Sequence, residues 1–153
     1  MRLYLVQHGK AVEKAVDPAR PLSEEGEREL QRVAGFLAGK IRVEELWHSG
    51  KERARQTAEC LAASVGPDAE VAQKDGLGPK DPVKPIAKLL KRVENDILIA
   101  GHLPHLAKLA GLLLAGDDDK QAIGFENAGV VCLEQTGKAW HVRWAVTPSL
   151  LGE

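Results

Sequence analysis

Hydrophobic residues form short runs that alternate with helix-like stripes along most of the chain. The segment Arg2–Val6 is rich in strand-forming residues and ends where polar residues and a glycine follow. Farther along, apolar residues from Leu30 to Leu37 recur at intervals of three and four, the spacing of one helical face. The same reasoning predicts strands at 2–6, 44–48, 70–73, 96–100, 129–134 and 139–146, and helical stripes at 30–37, 58–65, 83–90 and 106–113. Strands and helices are therefore expected to alternate.

Local signals mark the ends of some of these elements. Ser23 precedes three acidic residues and is the expected N-cap of a helix that ends near Gly39. The dipeptide Thr136-Gly137 separates the last two strands and predicts an antiparallel hairpin. Trp140 and Trp144 alternate along the final strand, and we expect them to pack into the core rather than form a contact between subunits.

Alternating strands and helices favour a mainly parallel sheet, because parallel strands need crossover connections that cover both faces. We predict an α/β fold, a three-layer α/β/α sandwich whose mainly parallel central sheet carries an antiparallel edge hairpin. The length of 153 residues predicts one domain over residues 1–153. Loops that leave the first, second and fourth strands should meet at one edge of this sheet, where such folds bind ligands.

Composition excludes several classes of protein. Hydrophobic residues make up 44% and charged residues 28%, as in folded soluble proteins. The net charge is −1 and no long basic run occurs, so nucleic acid is not an expected partner. We expect no membrane span and no signal peptide, because apolar runs are short and Met1 leads directly into a strand. Two free thiols, Cys60 and Cys132, fit a cytoplasmic protein.

Two histidines at strand ends are the first candidates for chemistry. His8 and His102 stand beside Gly9 and Gly101, which would let the backbone approach a small ligand. A single histidine in such a place is ordinarily a hydrogen-bonded packing residue. That interpretation is the one we prefer for His48, His105 and His141. Two histidines at the same sheet edge instead favour a shared site.

The surrounding residues indicate an anion site. Arg53 lies in the first turn of the second predicted helix, where free N–H groups and a partial positive charge attract anions. Its guanidinium could bind phosphate in bidentate fashion, although a solvated surface arginine is the common alternative. Pro104 suits the first turn of a later helix and would place His102 at a second helix start. The pattern predicts a phosphate site.

Other chemistries have less support. His102 and His105 are three residues apart, but no acidic or cysteine partner has ligand spacing, so we predict neither a metal nor a cofactor. The phosphate-binding pattern of nucleoside triphosphatases is absent. Cys60 falls within a predicted helix and Cys132 within a predicted strand, where inert thiols are expected.

Several short motifs occur in a fixed order along the chain. They are Gln7-His8-Gly9, Arg20-Pro21-Leu22-Ser23 followed by Gly26, Ser49 with Arg53, Gln56 and Thr57, and Gly101-His102. In this order they resemble the histidine phosphatase superfamily, and most closely its short branch, the SixA-like phosphohistidine phosphatases, over nearly the whole length of the chain. It lacks the insertions of the larger phosphoglycerate mutase branch. The resemblance implies a phosphoglycerate mutase-like fold and a phosphatase.

The resemblance also implies roles for individual residues. His8 would take the phosphoryl group, Arg53 and His102 would hold its oxygens, and water would then hydrolyse the phosphohistidine. Such transfer needs positioning and positive donors, and cations near His8 would favour the neutral imidazole that attacks. The expected substrate-binding positions are Gln7, Gly9, Lys10, Arg20, Ser49 and Gly101.

Position 7 departs from the family pattern, in which an arginine precedes the histidine. Losing one hydrogen bond to a charged group costs about 1.5–3 kcal/mol, which would slow the reaction without ending it. Lys10 is a hypothetical replacement for the missing charge; the alternative that we favour is a solvated lysine. Asp75 and Asp81 are the candidates for a general acid, and each is alternatively a turn residue or helix cap.

Three functions remain open from the sequence. The first is a phosphatase acting on phosphohistidine in a histidine phosphotransfer protein. It is favoured because a phosphoramidate leaving group departs with little help from an acid. The second is a phosphatase acting on a small phosphorylated metabolite. The third is a weakly active module that binds phosphate or a phosphoprotein, because Gln7 replaces the usual arginine.

Overall fold

A computed structural model describes residues 1–152 and contains every strand and helix that the sequence predicts. The strands are β1 (Arg2–Gln7), β2 (Glu45–His48), β3 (Glu70–Gln73), β4 (Ile97–Gly101), β5 (Val130–Thr136) and β6 (Ala139–Val146). The helices are α1 (Glu24–Leu37), α2 (Glu52–Val65), α3 (Lys84–Leu90), α4 (His105–Ala115) and α5 (Pro148–Leu151). The short helix α5 was not predicted. Among residues 1–152, each helix is too short or too polar to span a lipid bilayer.

The strands form one sheet in the order β3-β2-β4-β1-β5-β6. The pairs β1–β4, β2–β4 and β2–β3 are parallel, whereas β5 is antiparallel to both of its neighbours. β6 thus has the same direction as β1, and the hairpin occupies one edge. This arrangement confirms the predicted three-layer α/β/α sandwich with a mainly parallel sheet.

Both faces of the sheet are buried. Along β1, Tyr4 and Val6 belong to the hydrophobic cluster beneath α1 and α2. Leu3 and Leu5 belong to the cluster beneath α3 and α4. This alternation follows from the two-residue period of a strand, and it explains why β1 reads as a continuous apolar run.

The order of the strands brings the predicted loops together. β4 lies between β1 and β2, so the carboxyl ends of all three parallel strands meet at one edge. The backbone N–H of His8 donates to the carbonyl of Gly101 over 3.0 Å. The predicted convergence of these loops is therefore confirmed.

The start of α1 is fixed to the loop that follows β1. Ser23 caps the helix by accepting a hydrogen bond from Gly26 N–H, as predicted, and its own N–H donates to the carbonyl of Lys10. Gly26 packs directly against that carbonyl, so a side chain at position 26 would overlap it. A glycine is required because the two backbones meet without space for a Cβ.

Replacing Gly26 with alanine is expected to destabilise the protein by about 1–3 kcal/mol, the typical cost of overpacking. The new methyl group would push the Lys10 carbonyl away from Ser23. Urea denaturation would measure the loss. The control is Gly35→Ala, since a Cβ at Gly35 in the same helix meets no atom within 4 Å. Equal stability of the two variants would contradict this account.

A β-bulge changes the expected packing of the last strand. Trp144 pairs with Cys132 but Val142 pairs with Leu133, so β6 contains one extra residue between these pairs. Trp144 consequently packs near Tyr4, with ring centroids 5.9 Å apart, while Trp140 packs against the cluster on the opposite face of the sheet. Both tryptophans are half-buried. They pack against the core as expected, but on opposite faces.

Candidate active site

His8 lies just beyond β1 and is held in one tautomer. Its Nδ1 is 2.7 Å from the carbonyl oxygen of Gly9. Because a carbonyl oxygen only accepts, Nδ1 must carry the proton, and in the neutral ring Nε2 then keeps its lone pair. The Nε–H of Arg53 points at this nitrogen over 3.3 Å. His8 therefore presents an unprotonated nitrogen next to a guanidinium group.

Two further side chains hold the His8 loop in place. Thr57 Oγ1 accepts a hydrogen bond from Gly9 N–H (3.0 Å) and donates one to the carbonyl of Arg53 (2.7 Å). Asn127 Nδ2 donates to the carbonyl of His8 over 2.9 Å. The Thr57 hydroxyl thus connects the loop of His8 to the helix that carries Arg53. The sequence motif contained Thr57 but gave it no role, and Asn127 carried no signal that we identified.

Arg53 and Arg20 form a pair of cations beside His8. Neither is in an ion pair within residues 1–152. Arg20 adopts a positive φ of 49°, and its Nε donates to the carbonyl of Val12. Burial, and then the charge of Arg20, lower the pKa of Arg53. Two like charges held together without a carboxylate form an attractive site for an anion.

The beginning of α2 adds to this positive potential. Arg53 occupies the first turn of α2, as predicted, and the N-cap residue Lys51 makes no side-chain hydrogen bond to the helix. The only acid in that turn, Glu52, pairs with Arg55 on the same helix. Because Glu52 has another partner, it does not neutralise Arg53. The first N–H groups of the helix also favour an anion at this end.

His102 faces His8 from the loop between β4 and α4. The two ring centroids are 5.1 Å apart, and His102 Nε2 shares a hydrogen bond of 2.6 Å with the Ser49 hydroxyl. Burial, followed by the charges of His8 and Arg53, lowers the pKa of His102 to about 3. His102 is therefore neutral at physiological pH. The structure brings His8, Arg53 and His102 together, as predicted; their catalytic roles remain predictions.

The two glycines beside these histidines lie close to core side chains. A Cβ at Gly9 would lie 2.9 Å from the side chain of Leu30, and one at Gly101 would lie 3.1 Å from that of Leu106. Both glycines thus make room for core leucines, and their predicted contact with a substrate remains a prediction. Gly101 still orients the site, because its carbonyl accepts the N–H of His8.

Gln7 and Lys10 differ in their relation to the site. Gln7 is half-buried, and its Oε1 is buried without a hydrogen-bond partner among residues 1–152. The Lys10 ammonium lies 2.8 Å from Glu25 and 3.5 Å from Glu29 on α1. These two carboxylates neutralise the positive charge of the Lys10 ammonium group. The contacts of Lys10 therefore do not support a replacement for the missing arginine.

A cleft of about 640 Å³ begins at Ser49 and Arg53 and continues along the loop between β3 and α3. Both candidate acids, Asp75 and Asp81, line it. Asp81 accepts a hydrogen bond from Gly78 N–H, which fits the predicted alternative of a turn residue. Asp75 is exposed. A substrate held at Arg53 would extend into this cleft.

The remaining histidines differ in their packing. His48 is buried and its Nδ1 accepts from Gly50 N–H, as expected of a hydrogen-bonded packing residue. His105 is buried as expected, but its ring nitrogens have no hydrogen-bond partner among residues 1–152. The prediction for His141 is wrong, because its side chain is half-exposed beside Glu134 on the edge strand. An edge strand lacks the second neighbour that would bury it.

Within residues 1–152, one group of side chains lies close enough together to share a metal ion. It consists of Asp117, Asp118 and Asp119, in the turn after α4, outside the cleft.

Cys60 is half-buried in α2 and Cys132 is buried in β5, as expected.

If His8 is the nucleophile, we expect the decrease of kcat/KM at acidic pH to have its midpoint below pH 6.5. Burial is the main cause that lowers the pKa of His8 from 6.5, and the charges of Arg53 and Arg20 lower it further, against the opposing hydrogen bond to Gly9. Attack requires the neutral ring, so activity falls only when the pH drops below this lowered pKa. The pH dependence of kcat/KM reports that ionisation.

The variant Arg20→Gln is expected to shift this midpoint toward higher pH, because one of the charges that opposes protonation of His8 is removed. Using one substrate throughout keeps the ionisation of the substrate common to all profiles. The exposed Lys14 in the same loop provides the control variant Lys14→Gln, which should leave the profile in place. A profile that is unmoved or shifted to lower pH in Arg20→Gln would refute this explanation.

Comparisons with known proteins agree with this arrangement. The model of the histidine phosphatase superfamily (branch 1) matches residues 3–78, which include His8 and Arg53. A comparison with curated protein sequences returned no match. The matched segment covers the first half of the chain and ends before His102.

Solved structures extend the similarity to the whole fold. The protein histidine phosphatase SixA, complexed with tungstate, is 24% identical with a TM-score of 0.86 and matches 99% of this chain and 100% of its own. The alpha-ribazole phosphatase from Shigella flexneri is 18% identical with a TM-score of 0.77 over 94% and 95% of the two chains. A phosphoserine phosphatase mutant from Entamoeba histolytica, in complex with phosphoserine, is 16% identical with a TM-score of 0.70 over 94% and 95%. These structures share the phosphoglycerate mutase-like fold and differ in substrate.

Proposed function

Because the chain belongs to the histidine phosphatase superfamily, we propose that it hydrolyses phosphorylated substrates with His8 as nucleophile. The observation that carries the proposal is the state of His8. Its Nδ1 donates to the Gly9 carbonyl, which leaves Nε2 unprotonated opposite the unpaired guanidinium of Arg53. An unprotonated nitrogen and a cation face the same space, as in-line transfer of a phosphoryl group requires.

The reaction has two steps. His8 Nε2 attacks phosphorus and forms a P–N bond, while the bond to the leaving group breaks and that group departs with the electron pair. Water then attacks the phosphohistidine, the P–N bond breaks, and inorganic phosphate and neutral His8 are released. Arg53, Arg20 and the first N–H groups of α2 stabilise the charge on the phosphoryl oxygens.

The proposed substrate is phosphohistidine in a histidine phosphotransfer protein. A protein substrate needs an open approach, and the lining of the cleft includes the exposed residues Pro18, Ala19 and Asp75. Leu103, next to His102, is 40% exposed and offers an apolar contact at the same edge. Of the two candidate acids, Asp81 is hydrogen-bonded to Gly78 N–H, and the departure of a phosphoramidate leaving group needs little help from an acid.

A direct test compares kcat/KM for three substrates: a peptide with chemically phosphorylated histidine, p-nitrophenyl phosphate and phosphoserine. The first two have good leaving groups and the third has a poor one. The proposal expects the phosphohistidine peptide to be the best substrate and phosphoserine the worst. Equal rates on phosphoserine and phosphohistidine would contradict phosphohistidine as the substrate.

A second candidate is a phosphatase for a small phosphorylated metabolite, and the position of Asp75 favours it. This exposed side chain lines the same cleft as Arg53, and its protonated form, the carboxylic acid, would supply the proton that a poor leaving group needs. The variant Asp75→Asn distinguishes the two candidates. A large loss on phosphoserine with little loss on phosphohistidine would identify Asp75 as the acid that this second function needs.

We also propose a cytoplasmic location. Both cysteines are free thiols, and Cys132 lies in the core. A reducing compartment suits such thiols.

A further inference from the structure

A second concave surface lies away from the proposed active site. It is formed by α3, α4 and the β5–β6 hairpin, on the sheet face opposite α1 and α2, and encloses about 940 Å³. Its floor is apolar and consists of Ala87, Leu112, Leu113 and Trp140. We call this surface the α3 groove. It shares no lining residue with the cleft at Arg53.

All the charged residues that line the α3 groove are cationic, and Gln135 is the one neutral polar residue in its lining. Its five charged residues are Lys84, Lys88, Lys91, Arg92 and Lys138. None of them forms an ion pair or a side-chain hydrogen bond within residues 1–152, and no carboxylate lines the groove. The whole chain has a net charge of −1. Positive charge is therefore concentrated here without internal compensation.

The arrangement on α3 is regular. Lys84, Lys88 and Lys91 are four and three residues apart, which places them along one side of the helix, and Ala87 lies between them on the groove floor. Trp140 supplies a half-buried aromatic surface across the groove. An apolar strip bordered by cations matches a ligand whose own apolar strip is bordered by carboxylates.

From these features we propose that the α3 groove binds an acidic amphipathic helix of a partner protein. The apolar face of such a helix would cover the floor, and its glutamates or aspartates would meet the lysines and Arg92. Tryptophan and arginine are frequent anchors at protein interfaces. A bilayer surface is too flat to fill a concave floor, and a nucleic acid backbone would use the rim but leave the floor exposed.

The test measures binding of a defined peptide by fluorescence anisotropy. The probe is a synthetic helix with leucines along one face, glutamates on both sides of them, and a fluorophore at one end. We expect it to bind the intact protein and to bind the double variant K88E/K91E about tenfold more weakly, because two attractions become repulsions. The control K108E/K120E makes the same change of charge at exposed lysines outside the groove and should bind normally.

Two further probes separate the apolar from the electrostatic contribution. A peptide with serines in place of the leucines should lose binding, while its charge is unchanged. Undiminished binding by K88E/K91E, or equal binding of the serine peptide, would overturn the proposal. So would tighter binding of single-stranded DNA or of phosphatidylglycerol vesicles that depends on Lys88 and Lys91.

This inference is independent of the phosphatase reaction. The variant K88E/K91E should hydrolyse p-nitrophenyl phosphate at the normal rate, because neither lysine lines the cleft at Arg53. That rate, together with an unchanged circular dichroism spectrum, shows that the variant is folded. Loss of peptide binding in a fully active variant therefore reports on the α3 groove alone.

Discussion

The variant His8→Ala is expected to lower kcat/KM for p-nitrophenyl phosphate by at least about a thousandfold, since removal of a nucleophile eliminates the covalent pathway. The other imidazole at this site, His102, has its Nδ1 buried and its Nε2 hydrogen-bonded to the Ser49 hydroxyl. Steady-state rates of purified wild-type and variant protein measure the effect.

A second measurement detects the intermediate itself. Intact-protein mass spectrometry after rapid mixing at neutral pH should find one added phosphoryl group on the wild type and none on His8→Ala. Because the bond is P–N, the added group should be lost in acid and retained in base. His141→Ala is the matched control, since this histidine is half-exposed on the edge strand. Equal rates for wild type and His8→Ala would exclude His8 as the nucleophile.

The position of the site could be predicted because it depends on topology. Parallel strands align their carboxyl ends, and β1, β2 and β4 are neighbours in the sheet. Any polar residues that directly follow these strands must then meet. His8, Ser49 and His102 lie together in this way. Arg53 lies beside them because α2 starts immediately after the loop that follows β2.

The contacts that position His8 could not be predicted in this way. Asn127 is 119 residues away in sequence from the carbonyl that it binds, in an irregular segment without periodicity. The nearby Ala128 has a positive φ of 63°, but that conformation is visible only in the structure. Thr57 was found through its motif, yet its link between Gly9 and Arg53 depends on how closely α2 packs against the loop.

The contacts of Lys10 and the packing of Trp140 and Trp144 also depend on tertiary structure. Lys10 lies close to His8 in sequence, but α1 places the carboxylates of Glu25 and Glu29 next to it. The Lys10 ammonium group pairs with these carboxylates. Trp140 and Trp144 have the spacing of one strand face, but the bulge on β6 turns them to opposite faces. Periodicity predicts an element and its buried positions; it does not predict an inserted residue or a distant partner.

The variant Arg53→Ala is expected to reduce kcat/KM by about a hundredfold to a thousandfold, the usual cost of removing a donor that stabilises charge in the transition state. Arg53 contacts His8 Nε2 and is without a carboxylate partner in the described part of the chain, so a phosphoryl group at His8 would be its main counter-charge. Arg53→Lys should recover only part of the rate, because an ammonium cannot bind two oxygens in a fork. Inhibition by inorganic phosphate should weaken in parallel.

The control for Arg53→Ala is Arg42→Ala, which removes the same charge from an exposed pair with Asp68, in the segment that follows α2. An exposed ion pair contributes about 0–1 kcal/mol to stability, so this variant should fold and react normally. If Arg53→Ala hydrolysed p-nitrophenyl phosphate at the rate of Arg42→Ala, Arg53 would not contact the transferred group. The positive charge would then come from Arg20 and the start of α2, and Arg20→Gln would show the larger loss.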